Sequence, residues 1–304
     1  MARYLGQRAL HSSIALMGLI VAVFFLARLT GDPTNLYLPI DANLETRQEF
    51  AKLHGFDQPS HVQFIKFVKG IAEGDLGFSI RKQRPAFDIV LEAYPTTLKL
   101  AAVTMTLVIT CAVTVGALAA YRPRGVFDRV ASISSLSTAS APDFWVAITG
   151  ILVFSVALRW LPTSGMGQWQ SFIMPSIALA WFSLASLTRM TRSSMLDVFH
   201  AEYIRLARLK GLPEHVIVWK HAFRNAVLPI MTMFSLQLVF FVSGSVIVEN
   251  IFAWPGIGQL SIQAIESRDY PLVQTIVFIS SSGIVLLNLV VDILYGLIDP
   301  RIRR

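Results

Sequence analysis

One cysteine, Cys111, stands in the whole chain and lies inside an apolar run, so no intrachain disulfide can close and no Cys-based metal site can be built. Charge is scarce too: 15% of residues are Asp, Glu, Lys or Arg, against about 25% in an average soluble domain. The histidines His11, His54, His61, His200, His215 and His221 are scattered, with no H-E-x-x-H and no carboxylate constellation beside them, which argues against metal chemistry. G-x-S-x-G is missing, as is a convincing Ser-Lys or Asp-Asp pair within the apolar runs, so no hydrolytic centre is indicated. G-x-x-x-x-G-K-[ST] is missing as well, and the glycine-rich GDLGFS at Gly74 to Ser79 lacks the Lys-Ser/Thr that would hold a phosphate. The chain is therefore expected to bind no cofactor and to catalyse no reaction.

What it has in abundance is apolar sequence. Hydrophobic residues make up 54% of the 304 positions and the mean hydropathy is +0.58, the signature of a polytopic, all-α membrane protein. The net charge of +7 does not point to nucleic acid, because the basic residues flank apolar runs instead of forming aromatic-interleaved stripes. Six stretches approach the roughly 20 residues needed to cross a hydrocarbon core of about 30 Å. They lie near Ser12 to Leu29, Thr96 to Ala120, Val130 to Leu158, Phe172 to Leu187, Ala226 to Val248 and Leu272 to Ile298. The first has no clear small-x-small cleavage site after it and reads as a retained span, not a signal peptide.

Lys and Arg accumulate in cytoplasmic loops. Arg3 and Arg8, the Arg122, Arg124 and Arg129 group, the Arg189 to Arg224 stretch, and Arg301, Arg303 and Arg304 fall on one side. That is about fifteen basic residues, against Arg159 and Arg268 in the short loops opposite. Both termini are thus expected in the cytoplasm: 1–11 as an N-terminal segment, 12–29 as the first span, 30–95 outside, 96–298 as a five-span core with a cytoplasmic loop at 189–224, and 299–304 as a tail. In the outer segment Leu44, Phe50, Leu53 and Phe56, then Val62, Phe64, Ile65, Phe67, Val68 and Ile71, give two short amphipathic helix patterns separated by GFDQPS.

The 189–224 loop is the polar interruption of an oily chain. Tyr203, Ile204, Leu206 and Ala207 can share one helical face with Arg205, Arg208 and Lys210 on the other, and Gly211 with Pro213 supplies a stop. Pro213 can open a second helix running through Trp219, His221, Arg224 and Asn225 to the Leu228-Pro229 pair. On residue chemistry alone, this basic amphipathic segment suits an anionic lipid surface equally well.

The order of motifs goes further. EYIRLARLKG at Glu202 to Gly211 followed by HAFRNAVLP at His221 to Pro229 resembles the cytoplasmic signature loop of ABC-importer permeases, in its dipeptide/oligopeptide/nickel form. GDP at Gly31 to Pro33, GDLGFS, RPAFDIV, VENIFAWPGIGQL at Val248 to Leu260, RDYPLVQ at Arg268 to Gln274 and the closing NLVVDILYGLIDPRIR extend the resemblance over nearly the whole chain, in the family's order. It implies a type I importer permease of six spans in the bacterial inner membrane. Glu202, Tyr203, Arg205, Ala207, Arg208 and Gly211 would form a coupling helix docked on an ATP-hydrolysing subunit, and Arg224, Asn225, Leu228 and Pro229 would join it to the fifth span. ATP and Mg would then sit on one or two partner ATPase subunits. A second, homologous permease and a periplasmic or lipid-anchored binding protein are implied as further partners. One departure stands out: the general signature begins Glu-Ala-Ala where this chain has Arg205, Leu206 and Ala207.

Charges inside spans are costly and mark function by default. Asp143, after Pro142 in the third span, is a candidate for the translocation path, with a structural pair to another helix as its alternative; Asp292 reads as a structural hydrogen bond or ion pair. Lys99 and Arg28 lie near an interface and can snorkel. Phe252, Trp254, Pro255 and Gly256 form an outer aromatic turn, expected both to anchor at the interface and to face the binding protein. Peptide is the expected cargo. The competing function is an autonomous ion-coupled secondary transporter, which would need paired broken repeats and an embedded ion site.

Overall fold

The computed structural model describes residues 2–29, 38, 42–243 and 246–298. The expectations for Gly31 to Pro33, for the Asp292, Arg3, Arg8 and Arg28 side chains and for Arg301, Arg303 and Arg304 lie outside what it describes. Nearly everything described is helical: α1 (Ala2–Leu29), α2 (Leu44–His54), α3 (Ser60–Glu73), α4 (Ala86–Tyr121), α5 (Val126–Ala139), α6 (Asp143–Gly150), α7 (Ile173–Phe199), α8 (Glu202–Leu209), α9 (Glu214–Val216), α10 (Phe223–Val242), α11 (Val246–Ile251), α12 (Ile257–Glu266) and α13 (Tyr270–Ile298). A two-residue hairpin, β1 (Phe78–Ser79) and β2 (Arg84–Pro85), precedes α4. A π-helical stretch, Ile151–Ala157, continues α6, and a second, Ile217–Ala222, joins α9 to α10.

Four helical stretches are long and apolar enough to cross a membrane: Ala86–Tyr121, Trp169–Phe199, Glu214–Val242 and Tyr270–Val291. Val126–Thr138 and Asp143–Ala157 are apolar enough together but meet at 97°, so the stretch expected as the third span is sharply bent. Within α1 the described apolar part is Ser13–Leu26, shorter than a full crossing. The fourth expected span, from Phe172 to Leu187, proves too short: α7 continues without interruption to Phe199.

The chain forms two compact units, the described parts of Met1–Thr97 with Pro255–Arg304, and Leu98–Trp254. In the first, α1 lies along α13, and Phe24 is fully buried between Phe64 (ring centroids 5.1 Å) and Phe67 (5.8 Å). Val90, Ile257, Leu260, Leu272 and Ile276 form an apolar core. The two amphipathic patterns of the outer segment are the helices α2 and α3. The hairpin is tied down by Asp269, which is buried and accepts from the Ser79 hydroxyl and, at 3.3 Å, from the Arg81 N–H.

The second unit is organised around α7, which packs on α5, α6 and α10. Its buried residues are mostly small, among them Ser176, Ala180, Ser183, Ser186 and Thr191. Small side chains are what lets helices approach closely where apolar burial offers no net drive between them. At Gly116 of α4, an added Cβ would sit 2.7 Å from the Thr191 Cβ and 2.8 Å from the Thr188 carbonyl oxygen.

Candidate functional site

The loop between α7 and α10 is helical almost throughout. α8 starts after Ala201, with Glu202 in its first turn, and ends in a Schellman closure in which Gly211 N–H donates to Arg208 O (2.9 Å) and Leu212 N–H to Ala207 O (3.3 Å). Gly211 takes φ +72°, a left-handed conformation that costs glycine nothing, and a Cβ there would meet nothing within 4 Å in this chain. Its requirement within the chain is thus conformational, not one of close approach.

The inward face of α8 is narrower than the pattern suggested. Ile204 and Ala207 are buried, whereas Tyr203 is 42% exposed and Leu206 57%. With Leu209, also exposed, they present an apolar row outward, so the face that Tyr203, Ile204, Leu206 and Ala207 were expected to share is only partly buried. Burial of the ring nevertheless pushes the Tyr203 phenol upward from its ordinary pKa. Arg208 is engaged inside the chain, its Nε 3.2 Å from Glu214 Oε1 and its guanidinium over the Phe199 ring. Glu202, Arg205 and Lys210 are exposed, with no side-chain partner among the described residues.

Pro213 stands as the N-cap of α9, one position outside the helix that it was expected to begin. From there the backbone runs helically through His221 and Asn225, whose side-chain amide donates to His221 O at 2.7 Å. Arg224 and Asn225 are exposed; Leu228 is half-buried; Pro229 lies inside α10 and is exposed. Two charges earlier in the loop are tied to α5: Arg192 pairs with buried Asp128 (Nη2 to Oδ2, 2.8 Å) and Arg189 Nη1 reaches Ser135 O at 3.4 Å.

Asp143 opens α6 immediately after the bend. It is half-buried, has no hydrogen bond or ion pair among the described residues, and lines a cleft of about 590 Å³ with Pro142, Phe182, Ser183, Gln237 and Phe240. Gln237 of α10, a residue with no motif around it, is buried there. Its Nε2 donates to Ser186 Oγ (2.9 Å) and Ser183 O (3.3 Å), while its Oε1 has no partner among the described residues.

The outer aromatic turn corrects a further expectation. Phe252 and Trp254 are buried, and the Trp254 indole packs edge-on against Phe172 at 4.7 Å. Neither ring is available to a partner; Pro255 is exposed, and Gly256 is buried at the start of α12. No cluster of three or more His, Cys, Asp or Glu able to hold a metal occurs among the described residues.

Comparison with known proteins supplies the wider setting. The model of the family described as "Binding-protein-dependent transport system inner membrane component" matches residues 112–304. The oligopeptide transport system permease protein AppB of Bacillus subtilis (strain 168) is 37% identical over 314 residues, covering 99% of each chain. The glutathione transport system permease protein GsiC of Escherichia coli (strain K12) is 37% identical over 304 residues, covering 100% of this chain and 99% of that one. Among solved structures, an inward-facing MetNI methionine ABC transporter chain superposes with a TM-score of 0.59 at 17% identity, over 69% of this chain and 96% of that chain, a likeness of fold.

Proposed function

The chain belongs to the family of binding-protein-dependent transport system inner membrane components, and from that premise we propose that it is the translocating subunit of an ATP-driven importer of peptides. It crosses the bacterial inner membrane six times with both termini in the cytoplasm: α1, the bent α5–α6 pair and the four long apolar helices supply the spans. A second, homologous permease completes the path. A periplasmic or lipid-anchored binding protein delivers cargo from outside, where the segment 30–95 and the 251–256 turn lie.

The observation that carries this reading is the make-up of α8. A helix anchored by two buried residues, Ile204 and Ala207, leaves Tyr203, Leu206 and Leu209 exposed beside free Arg205 and Lys210. An exposed apolar row rimmed by charge fits a protein groove. Its occupant is an ABC ATPase subunit carrying ATP and Mg. Arg208, held by Glu214, stiffens the helix instead of meeting that subunit, and Arg205 or Lys210 makes the polar contact in place of the glutamate of the general signature.

Work enters by differential affinity. A partner drives a conformational change only if it binds one state more tightly than the other. ATP-bound ATPases close on each other and draw their docked α8 helices together, turning the path outward; hydrolysis resets it. A Leu206→Asp variant, charged at the centre of the exposed row, is expected to insert into the membrane at wild-type level and lose at least tenfold of the copurifying ATPase in detergent pull-downs. Wild-type recovery of the ATPase would remove α8 from the docking role.

With no P-loop and no hydrolytic motif in the sequence, translocation and not catalysis is the part this reading gives the chain. Peptide as cargo rests on the relatives' transport of oligopeptides and glutathione.

A further inference from the structure

The cleft at the bend of the third span has a chemistry that the importer reading does not use. Asp143 lines it with a carboxylate, and Gln237 lines the same space, its amide oxygen buried; neither group has a partner among the described residues. The orientation of that amide is set by its other end, because Nε2 faces Ser183 O, which can only accept. Among the described residues no Lys, Arg or His lines the cleft, and Phe182 and Phe240, both about half exposed, line it.

Two acceptors without a donor define the missing group. A carboxylate inside a span is expensive unless neutralised, and a buried amide oxygen left without a hydrogen bond costs roughly 1–3 kcal/mol. A cation bearing N–H groups satisfies both, and aromatic faces nearby add attraction for a positive charge. A purely structural use of Asp143 would call for a cation on a neighbouring helix, and none is within pairing distance among the described residues.

We propose that this cleft is a cargo station that holds the α-ammonium group of a peptide in transit, with Asp143 as its counter-charge and the Gln237 carbonyl oxygen as its hydrogen-bond acceptor. The inference rests on the peptide-importer reading and adds to it a chemical filter within the membrane. Peptides with a free amino terminus are stabilised at the bend by two acceptors from different helices, α6 and α10. The surrounding apolar lining excludes the anionic end of the molecule.

The test uses the whole complex, both permeases, ATPases and loaded binding protein, in proteoliposomes, with trialanine as the probe because its amino terminus is its one cationic group. Import by each variant is divided by wild-type import, so selection by the binding protein cancels. Asp143→Asn is expected to import trialanine at about one tenth of the wild-type rate, Asp143→Glu to recover at least half, and Gln237→Leu to fall about threefold, with all complexes assembled in wild-type yield. Wild-type import by both Asp143→Asn and Gln237→Leu overturns the proposal and leaves the importer reading standing. Loss of the second permease from the Asp143→Asn complex also overturns it, since Asp143 would then be an inter-subunit pair. A wild-type complex that imports no trialanine brings down the peptide-importer reading and this inference together.

Discussion

Asp128 is the most constrained charge described in the second unit. Buried at the start of α5, it accepts from the Arg124 N–H at 2.8 Å and holds the Arg192 guanidinium of α7 through both of its oxygens. Removing one member of such a pair strands the other in a poorly solvated place. Asp128→Asn is expected to cost about 2 kcal/mol, discounted from a fully buried pair because Arg192 is part-exposed. It should lower the thermal midpoint in detergent by several degrees, and the Asp128→Asn, Arg192→Gln double variant should be less destabilised than the sum of the singles. Additive losses would show that the two side chains do not act as a pair. Motif reading passed over Asp128, since its partner lies 64 positions away and no local pattern encodes that contact.

At the scale of elements, α7 shows why the fourth span was underestimated. Hydropathy falls after Leu187, yet Thr188, Thr191, Ser194 and Met195 are buried and the helix goes on. Ser186 returns its hydrogen bond to Phe182 O and Ser194 donates to Met190 Sδ, both within the same helix, so polarity on a scale does not mean exposure. The same packing makes glycines unequal. At Gly116 a Cβ meets the Thr188 backbone oxygen, which cannot yield, and Gly116→Ala is expected to destabilise by about 1–3 kcal/mol. At Gly150 the obstacle is the terminal methyl of Met174, which can rotate away. Gly150→Ala should therefore stay within about 0.5 kcal/mol of wild type, its packing cost offset by better helix propensity. Tryptophan-fluorescence melts of the two variants side by side check the contrast; equal effects would refute it. The outer turn was misjudged for a related reason: an aromatic beside a span looks like an interfacial anchor, but the burial of Trp254 against Phe172 is settled by a residue far away in sequence.

For the molecule as a whole, the energy source separates the two transport readings. An ion-coupled transporter would import its cargo in ATP-depleted vesicles under an imposed proton gradient. The complex containing this chain is expected to import nothing under those conditions and to do so once ATP is loaded on the ATPase side. Gradient-driven uptake without ATP would reverse the assignment.

Composition, hydropathy and the order of motifs were enough to establish a helical membrane chain of the importer-permease family, because long apolar runs and glycine or proline punctuation are local properties that act through the solvent and the backbone. They also located the short basic helix at 202–209 with its Gly211 stop, where the left-handed turn is written in one residue. Only the tertiary structure decided which face of α8 stays free, that Arg208 is occupied by Glu214, that Trp254 is buried, and that Gln237 shares a cleft with Asp143. The burial of Trp254 and the meeting of Gln237 with Asp143 depend on which distant helix lies alongside, and even the Arg208–Glu214 pair, six residues apart, depends on how the chain turns between two helices. Pairing and burial are settled by neighbours in space, and a sequence lists only neighbours along the chain.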